Sequence, residues 1–187
     1  MRTVLIVALG LAFLAETVPA GELAGVVLPD TISIEGVSLQ LNGLGIRKKL
    51  WVKVYVGGLY LETPSSDGDS ILASGEAWRV VMHFLHKEVS VDKLNGAWED
   101  GFKKNAPEVL EQHPQEFERF LGCFQDVYKG EEIVLTFLPG TGLEVVVAGE
   151  TKGLFVPVSF ARGVLSLWLG PHPPSDGLKE GLLGLKD

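Results

Sequence analysis

The sequence predicts a single α+β domain in which an antiparallel sheet carries helices on one face. Segments with strand-like alternation come first, two helical segments follow, and strands and helices then appear once more. No internal repeat, low-complexity tract or linker interrupts this order. About 165 residues remain after an N-terminal leader is set aside, enough for one domain with a full core.

The first two strands are predicted on either side of a glycine-rich segment. Ile32 to Gln40 and Leu50 to Glu62 have the composition of strands, and Asn42-Gly43-Leu44-Gly45 between them is predicted to be a turn. This turn would bring three consecutive cations to the mouth of the second strand, namely Arg47, Lys48 and Lys49.

The second strand has two unlike faces. One face carries Val52, Val54, Val56, Gly58 and Tyr60, and the other carries Trp51, Lys53, Tyr55, Gly57, Leu59 and Leu61. A bare glycine inside a strand lets another group approach the backbone closely. The mixed face could therefore hold an apolar molecule with an anionic or phenolic end, although an ordinary half-solvated strand has the same pattern.

Changes in the spacing of apolar residues predict a third strand and two longer helices. Asp69 to Ser74 is predicted to be one helical turn, and Glu76 to His86 alternates as a strand. Ser90 is then a favourable N-cap for a helix with apolar side chains at Val91, Leu94, Trp98 and Phe102. A second helix is predicted to begin at Pro114.

The C-terminal part predicts a hairpin, one more strand and two helices. The hairpin turns at Pro139-Gly140-Thr141-Gly142. The predicted elements are Glu131 to Leu138, Leu143 to Ala148, Lys152 to Val156, Ser159 to Leu169 and Ser175 to Leu183.

The N-terminus predicts export. Arg2 precedes an apolar run from Val4 to Ala15, and Val18-Pro19-Ala20 offers small residues for a signal peptidase. This run is too short for a comfortable membrane span, which needs roughly 20 residues. We therefore expect residues 1–20 to be a signal peptide and residues 21–187 to be the mature domain, without a transmembrane segment.

Charge and cysteine content exclude several classes of protein. The net charge is −8, and removal of the leader leaves it unchanged. An acidic chain without a basic stripe argues against binding to nucleic acid and to anionic membrane surfaces. Cys123 is the only cysteine and lies in an apolar run, so the sequence predicts a buried inert thiol and no internal disulfide.

The spacing of residues supports neither a metal site nor a catalytic nucleophile. His83 and His86 would point to opposite faces of one strand and could not share a metal ion. No serine stands in a G-x-S-x-G elbow, and the glycine-rich segment lacks the third glycine and the helix of a dinucleotide site. We expect neither a metal nor a cofactor.

Arg47 and Trp51 are the residues singled out for binding. The guanidinium of Arg47 could donate two hydrogen bonds to a bound carboxylate or phenolate. Alternatively, Arg47 is an ordinary surface arginine at the start of a strand. Trp51 shares its predicted face with Lys53 and Tyr55, which suits either a ligand floor with a cation–π contact or ordinary edge packing.

Two stretches of the sequence resemble the signature of a known family. They are Gly43-Leu44-Gly45-Ile46-Arg47 and Lys53-Val54-Tyr55-Val56-Gly57-Gly58-Leu59-Tyr60-Leu61-Glu62. They are similar to the chalcone isomerase-like proteins, and most of all to the exported bacterial branch of that family. The resemblance continues through Asp92-Lys93-Leu94 and on to Leu182-Leu183-Gly184. It implies an open-faced sandwich with a ligand cleft between the sheet and the helices.

The resemblance also implies roles for individual residues. Arg47 matches the arginine that, in the plant enzymes, steadies negative charge while a chalcone closes to a flavanone. Tyr55 stands at the place of a strand threonine of those enzymes, Ser90 and Ala97 fall near a tyrosine and an asparagine, and Ala161 replaces a small polar residue. Arg47 and Tyr55 are therefore the catalytic candidates, and the ligand-binding candidates are Arg47, Trp51, Lys53, Tyr55 and Ser90.

Three functions remain open on this basis. The first is a non-catalytic binder of a small amphipathic or hydrophobic acid, since the family includes fatty-acid-binding members. The second is an isomerase or intramolecular lyase acting on an unknown enone-like substrate. The third is an envelope interaction module in which the face of Trp51 and Tyr55 meets an unidentified protein. The resemblance favours a periplasmic location, with secretion as the alternative.

Overall fold

The computed structural model of the protein describes residues 20–186. The α+β class is confirmed, because a seven-stranded antiparallel sheet carries a layer of helices on one face. The signal peptide predicted at residues 1–20 falls almost entirely outside the described residues. None of the helices within residues 20–186 combines the length and the hydropathy needed to cross a bilayer.

The elements follow one another in the predicted order, with several additions. The strands are β1 (Ala20–Leu23), β2 (Val26–Pro29), β3 (Thr31–Ile34), β4 (Val37–Lys49), β5 (Val52–Leu61), β6 (Trp78–Phe84), β7 (Glu88–Val89), β8 (Val127–Tyr128), β9 (Glu132–Leu138), β10 (Gly142–Val147) and β11 (Glu150–Phe155). The helices are α1 (Gly68–Ser74), α2 (Val91–Asn105), α3 (Pro107–Gln112), α4 (Pro114–Leu121), α5 (Val158–Leu169) and α6 (Asp176–Leu182).

The main sheet consists of two antiparallel meanders that meet at one strand pair. Its order is β11-β10-β9-β6-β5-β4-β3, so β6 and β9 are the strands that join β3–β6 to β9–β11. Tyr55 lies opposite Phe84 near one end of the sheet, and Leu61 lies opposite Trp78 near the other. Two short pairs, β1–β2 and β7–β8, stand apart from this sheet.

The larger core lies between the sheet and the helices. Four phenylalanines from α2, α4, β11 and α5 are buried there with ring centroids 5.3–6.1 Å apart: Phe102, Phe120, Phe155 and Phe160. Burial of each such side chain contributes on the order of 1.5–3 kcal/mol, so this cluster is a main source of stability.

A second, smaller core lies on the opposite face of the sheet. It is built from Leu39, Val56, Tyr60 and Val81 of the sheet, and the β1–β2 hairpin covers part of it. The Tyr60 hydroxyl donates a hydrogen bond of 2.9 Å to the carbonyl oxygen of Pro29. The even-numbered face of β5 is therefore covered in part, and the odd-numbered face points to the helices.

The prediction of a turn at Asn42-Gly43-Leu44-Gly45 is wrong. These residues lie inside β4, because α6 packs on them with backbone against backbone. A Cβ at Gly45 would lie 2.5 Å from the carbonyl oxygen of Leu178, and one at Gly43 would collide with the carbonyl oxygen of Gly181. Asn42 ties α6 down by donating to the carbonyl oxygen of Leu182 at 2.8 Å.

The chain actually turns on either side of β4. The β3–β4 turn uses Glu35 and Gly36, with φ of 49° and 85°, and the β4–β5 turn uses Leu50, with φ of 57°. Strand β4 therefore extends as far as Lys49.

The predicted helices are confirmed to within one or two residues, but three features were missed. No helix was predicted at α3, where Pro107 occupies the first turn and its fixed φ suits a helix start. The β1–β2 and β7–β8 pairs were not predicted, because two to four residues are too few to show a period.

Candidate functional site

Arg47 and Tyr55 are partners across the β4–β5 hairpin. They lie opposite each other in the register, and β4 shifts its register immediately after Arg47. Directly opposite residues of an antiparallel pair share one face, and Tyr55 belongs to the core beneath the helices. The register therefore places Arg47, which is half-buried, on the helix-facing side at the end of the long strand.

The guanidinium of Arg47 is turned toward its own strand end. Its Nη1 donates a hydrogen bond to the carbonyl oxygen of Lys48. Arg47 also lies close enough to Tyr55 that its positive charge favours the phenolate form of that residue. The pair thus combines a permanent cation with a phenol at the edge of the core.

The hydroxyl of Tyr55 is held inside the protein. Its oxygen accepts a hydrogen bond of 3.1 Å from Nε1 of Trp168 in α5, and its ring lies 5.7 Å from that of Phe84. Burial raises the pKa of Tyr55 to about 12, against the smaller lowering effects of Trp168 and Arg47. Tyr55 is consequently neutral at ordinary pH, and no acceptor for its hydrogen is found among residues 20–186.

A chain of aromatic residues continues from Tyr55 into the core. Trp168 lies edge-on to Trp98 of α2, with ring centroids 5.7 Å apart, and Trp98 stacks on Phe124 at 5.1 Å. Nε1 of Trp98 is buried and has no partner in the described part of the chain. Leaving such a donor unpaired costs about 1–3 kcal/mol, so Trp98 keeps an unused donor inside the core.

Helix α6 covers the strand next to Tyr55. A Cβ at Gly57 would lie 3.1 Å from Leu178 Cδ1 and 3.4 Å from Leu182 Cδ2. The space that Gly57 leaves free is therefore occupied by the two leucines. The sequence identified Gly57 as a point of close approach, and the approaching group is this helix.

Trp51 and Lys53 lie outside this interior site. Trp51 is 85% exposed at the tip of the β4–β5 hairpin, and Lys53 is exposed beside it. Within residues 20–186, Trp51 takes part in no cation–π pair. Trp51 and Tyr55 do not form one accessible surface, since Tyr55 is only 6% exposed.

Ser90 occupies the predicted N-cap of α2 but does not cap it. Its side chain makes no capping hydrogen bond, and Oδ1 of Asp126 instead accepts from the Val91 amide at 2.8 Å. Ala97 is exposed on α2, whereas Ala161 is buried in α5. Neither alanine has a polar group to offer beside the Arg47–Tyr55 pair.

Two surface hollows lie near α1. The larger, of about 220 Å³, is lined in part by Leu61, Ser70, Ile71 and Trp78. A smaller hollow on the other side of Ile71 reaches Arg162. Neither is lined by Arg47 or Tyr55, because Leu61 and Tyr55 lie near opposite ends of β5.

The remaining polar pairs are structural links. Nε2 of His113 and Oγ of Ser159 are 2.6 Å apart and connect the α3–α4 junction to α5, but the nearest Glu116 oxygen is 4.0 Å from the ring, beyond hydrogen-bonding distance. Cys123 is buried, and desolvation raises the pKa of its thiol. No cluster of three metal-ligating side chains is found in the described residues.

The chain is similar to known proteins both in its sequence profile and in its fold. A family profile described as chalcone isomerase-like matches residues 20–184. The crystal structure of a fatty-acid binding protein of Arabidopsis thaliana is similar in fold, with a TM-score of 0.69 and 18% sequence identity over 88% of this chain and 96% of that one. The comparison with curated proteins gave no match.

Proposed function

The chain belongs to the chalcone isomerase-like family, and from this membership we propose that it binds a small apolar acid, such as a fatty acid, without transforming it. The proposal rests on the position of Arg47 opposite Tyr55 on the helix-facing side of β4 and β5. The Arabidopsis neighbour, which is a fatty-acid binding protein, supports this class of ligand.

The acid group would lie between Arg47 and Tyr55. Arg47 supplies a permanent charge and a fork of donors, and Tyr55 supplies an O–H that burial keeps protonated. A carboxylate accepting from both would exchange the local hydrogen bond of Arg47 to the Lys48 carbonyl for stronger, charge-assisted ones. Hydrogen bonds to charged groups contribute roughly 1.5–3 kcal/mol each.

The apolar chain would enter beside Gly57. Leu178 and Leu182 of α6 occupy that space, so entry requires α6 to move away from β5. α6 has only seven residues, which makes its displacement less costly than that of a longer helix. Ligand binding should then lower the hydrogen-exchange protection of amides in α6 and leave that of α2 unchanged.

The test is a titration of the purified mature domain with lauric acid and with its methyl ester. The free acid should bind more tightly than the ester, and Arg47→Gln should weaken binding of the acid at least about tenfold, the loss of one charged hydrogen bond. Arg162→Gln, an exposed arginine on α5, is the matched control. Equal affinities for acid and ester, or unchanged affinity in Arg47→Gln, would refute the proposal.

An isomerase activity is the second candidate, because the same two residues could stabilise a phenolate. The supporting polar groups are missing at Ala97 and Ala161, so we expect no turnover. Incubation with 2′-hydroxychalcone should show only the spontaneous loss of visible absorbance. A faster loss that Arg47→Gln abolishes would replace the binding function with catalysis.

We also propose that the chain is exported to a bacterial periplasm. The leader features of residues 1–20 support export, and the family match begins at residue 20. Cleavage after Ala20 would remove the first residue of β1, which pairs with Pro29, and would keep the three pairs from Gly21–Leu28 to Leu23–Val26. Expression with the leader, followed by N-terminal sequencing of the periplasmic fraction, should give a chain that starts at Gly21; a chain that keeps Met1 in the cytoplasm would contradict export.

A further inference from the structure

The tip of the β4–β5 hairpin, residues 48–53, exposes two large apolar side chains. Leu50 is 79% exposed and Trp51 is 85% exposed, and both stand on the turn itself. Leu50 has a φ of 57°, a conformation in which glycine or asparagine is less strained than leucine. Neither the fold nor the Arg47–Tyr55 pair requires an apolar residue at these positions.

The hairpin tip is also locally basic in an acidic protein. Lys48, Lys49 and Lys53 flank the two apolar residues, and no aspartate or glutamate occurs between Glu35 and Glu62. None of the three lysines forms an ion pair within residues 20–186. Their charges are therefore available to an external anion, although the net charge of the chain is −8.

We propose that the hairpin tip docks onto lipid bilayers that contain anionic lipids. The side chains of Leu50 and Trp51 enter the interfacial region, where tryptophan is enriched in membrane proteins. The three lysines contact the lipid phosphates around them, each contributing to attraction toward an anionic surface. This proposal departs from the expectation based on the net charge of −8, because the local charge of the hairpin tip is positive.

The shape of the tip favours a bilayer over a protein partner. A stable protein interface buries roughly 800 Å² on each side, which a projecting turn of six residues cannot supply. A bilayer needs only apolar side chains that insert and cations that remain at the headgroups. Such an anchor is weak and reversible, and it does not depend on the identity of the ligand bound at Arg47.

The fluorescence of Trp51 can report on this contact. Trp78, Trp98 and Trp168 are each at most 4% exposed, so Trp51 is the tryptophan that an aqueous quencher reaches. Mixing the mature protein with phosphatidylcholine–phosphatidylglycerol vesicles at low salt should shift the emission to shorter wavelength and protect Trp51 from acrylamide. Added salt and vesicles of phosphatidylcholine alone should both weaken this effect.

Two sets of variants test the apolar side chains and the lysines of the hairpin tip separately. In a vesicle sedimentation assay, Leu50→Ser with Trp51→Ser should weaken binding at least about tenfold. Lys48→Gln with Lys49→Gln should weaken it about fivefold for each lysine removed. Two control variants carry substitutions away from the hairpin tip. One is Val156→Ser, just after β11, and the other is Lys103→Gln with Lys104→Gln, in the last turn of α2. Both should bind like the wild type.

The proposal is overturned by either of two results. One is that the wild-type protein does not sediment with the anionic vesicles at low salt. The other is that the tip variants, which should melt like the wild type because their side chains are exposed, bind as tightly as it does. A soluble protein that shields Trp51 from acrylamide while the vesicles do not would identify the tip as a protein-binding site instead.

Discussion

Gly181 of α6 lies directly on Gly45 of β4, so that a Cβ added to Gly181 would stand 2.7 Å from the Cα of Gly45. It would also collide with the carbonyl oxygen of Leu44. The helix and the strand are therefore in backbone contact, and only glycine allows this distance. This contact fixes how close Leu178 and Leu182 come to Gly57 beside Tyr55.

Gly181→Ala should destabilise the protein by about 1–3 kcal/mol, because the added methyl group can be accommodated only by moving backbone. Gly96→Ala in α2 is the control, since a Cβ there meets nothing within 4 Å. It should raise stability by up to about 1 kcal/mol through helix propensity. Urea unfolding of the two variants checks both signs, and equal effects would contradict the packing described for α6.

Tyr55→Phe should lower the free energy of unfolding by about 1–3 kcal/mol, because it leaves the buried Nε1 of Trp168 without its acceptor. Tyr60→Phe should cost less, since the Pro29 carbonyl that loses its partner belongs to an exposed residue that water can reach. Denaturant midpoints of the two variants give the comparison. A larger loss in Tyr60→Phe would show that the Trp168 donor finds another partner.

Stability should fall as the pH rises from 10 to 12. Burial raises the pKa of Tyr55 and of Tyr60 from 10.0 to about 12, so the unfolded chain releases these protons before the folded protein does. Their contribution is complete below pH 10 and disappears as the pH passes the folded value. Urea midpoints across this range should decline less steeply in Tyr55→Phe with Tyr60→Phe than in the wild type; parallel slopes would rule out the raised pKa values.

Acrylamide should quench one class of tryptophan in the free protein. Trp51 is exposed at the hairpin tip, and the other three tryptophans are buried. Trp51→Phe should remove the quenchable component and shift the remaining emission to shorter wavelength, with little change in melting temperature. Quenching that persists in this variant would mean that the core opens near Trp98 or Trp168.

Local patterns were sufficient to predict most of the fold. Alternation identified β5 and β6, and the helical spacing of Leu94, Trp98 and Phe102 identified α2. The glycines of β4 were misread because a glycine marks either a turn or a close approach, and its meaning depends on what packs there. The group that packs on Gly43 and Gly45 is α6, near the far end of the chain.

Of the residues that the sequence singles out, the structure brings Arg47 and Tyr55 together and leaves Trp51 and Lys53 outside. The sequence singles out Arg47 and Tyr55, but only the hairpin register makes them partners. The hydrogen bond from Trp168 to Tyr55 joins a late helix to an early strand, and no local pattern encodes it. Trp51 shares an alternation with Tyr55, but it stands on the turn, where alternation no longer reports burial.

The strand order has a consequence for how the chain folds. Strands β3 to β6 and β9 to β11 are each built from neighbours in the chain, so both meanders can form from short loop closures. The β6–β9 pair alone joins them, across the long connection from Phe84 to Glu132. Closing that connection carries the largest entropic cost within the sheet, so we expect the pairing of β6 with β9, in which Val80 lies opposite Leu135, to form after both meanders.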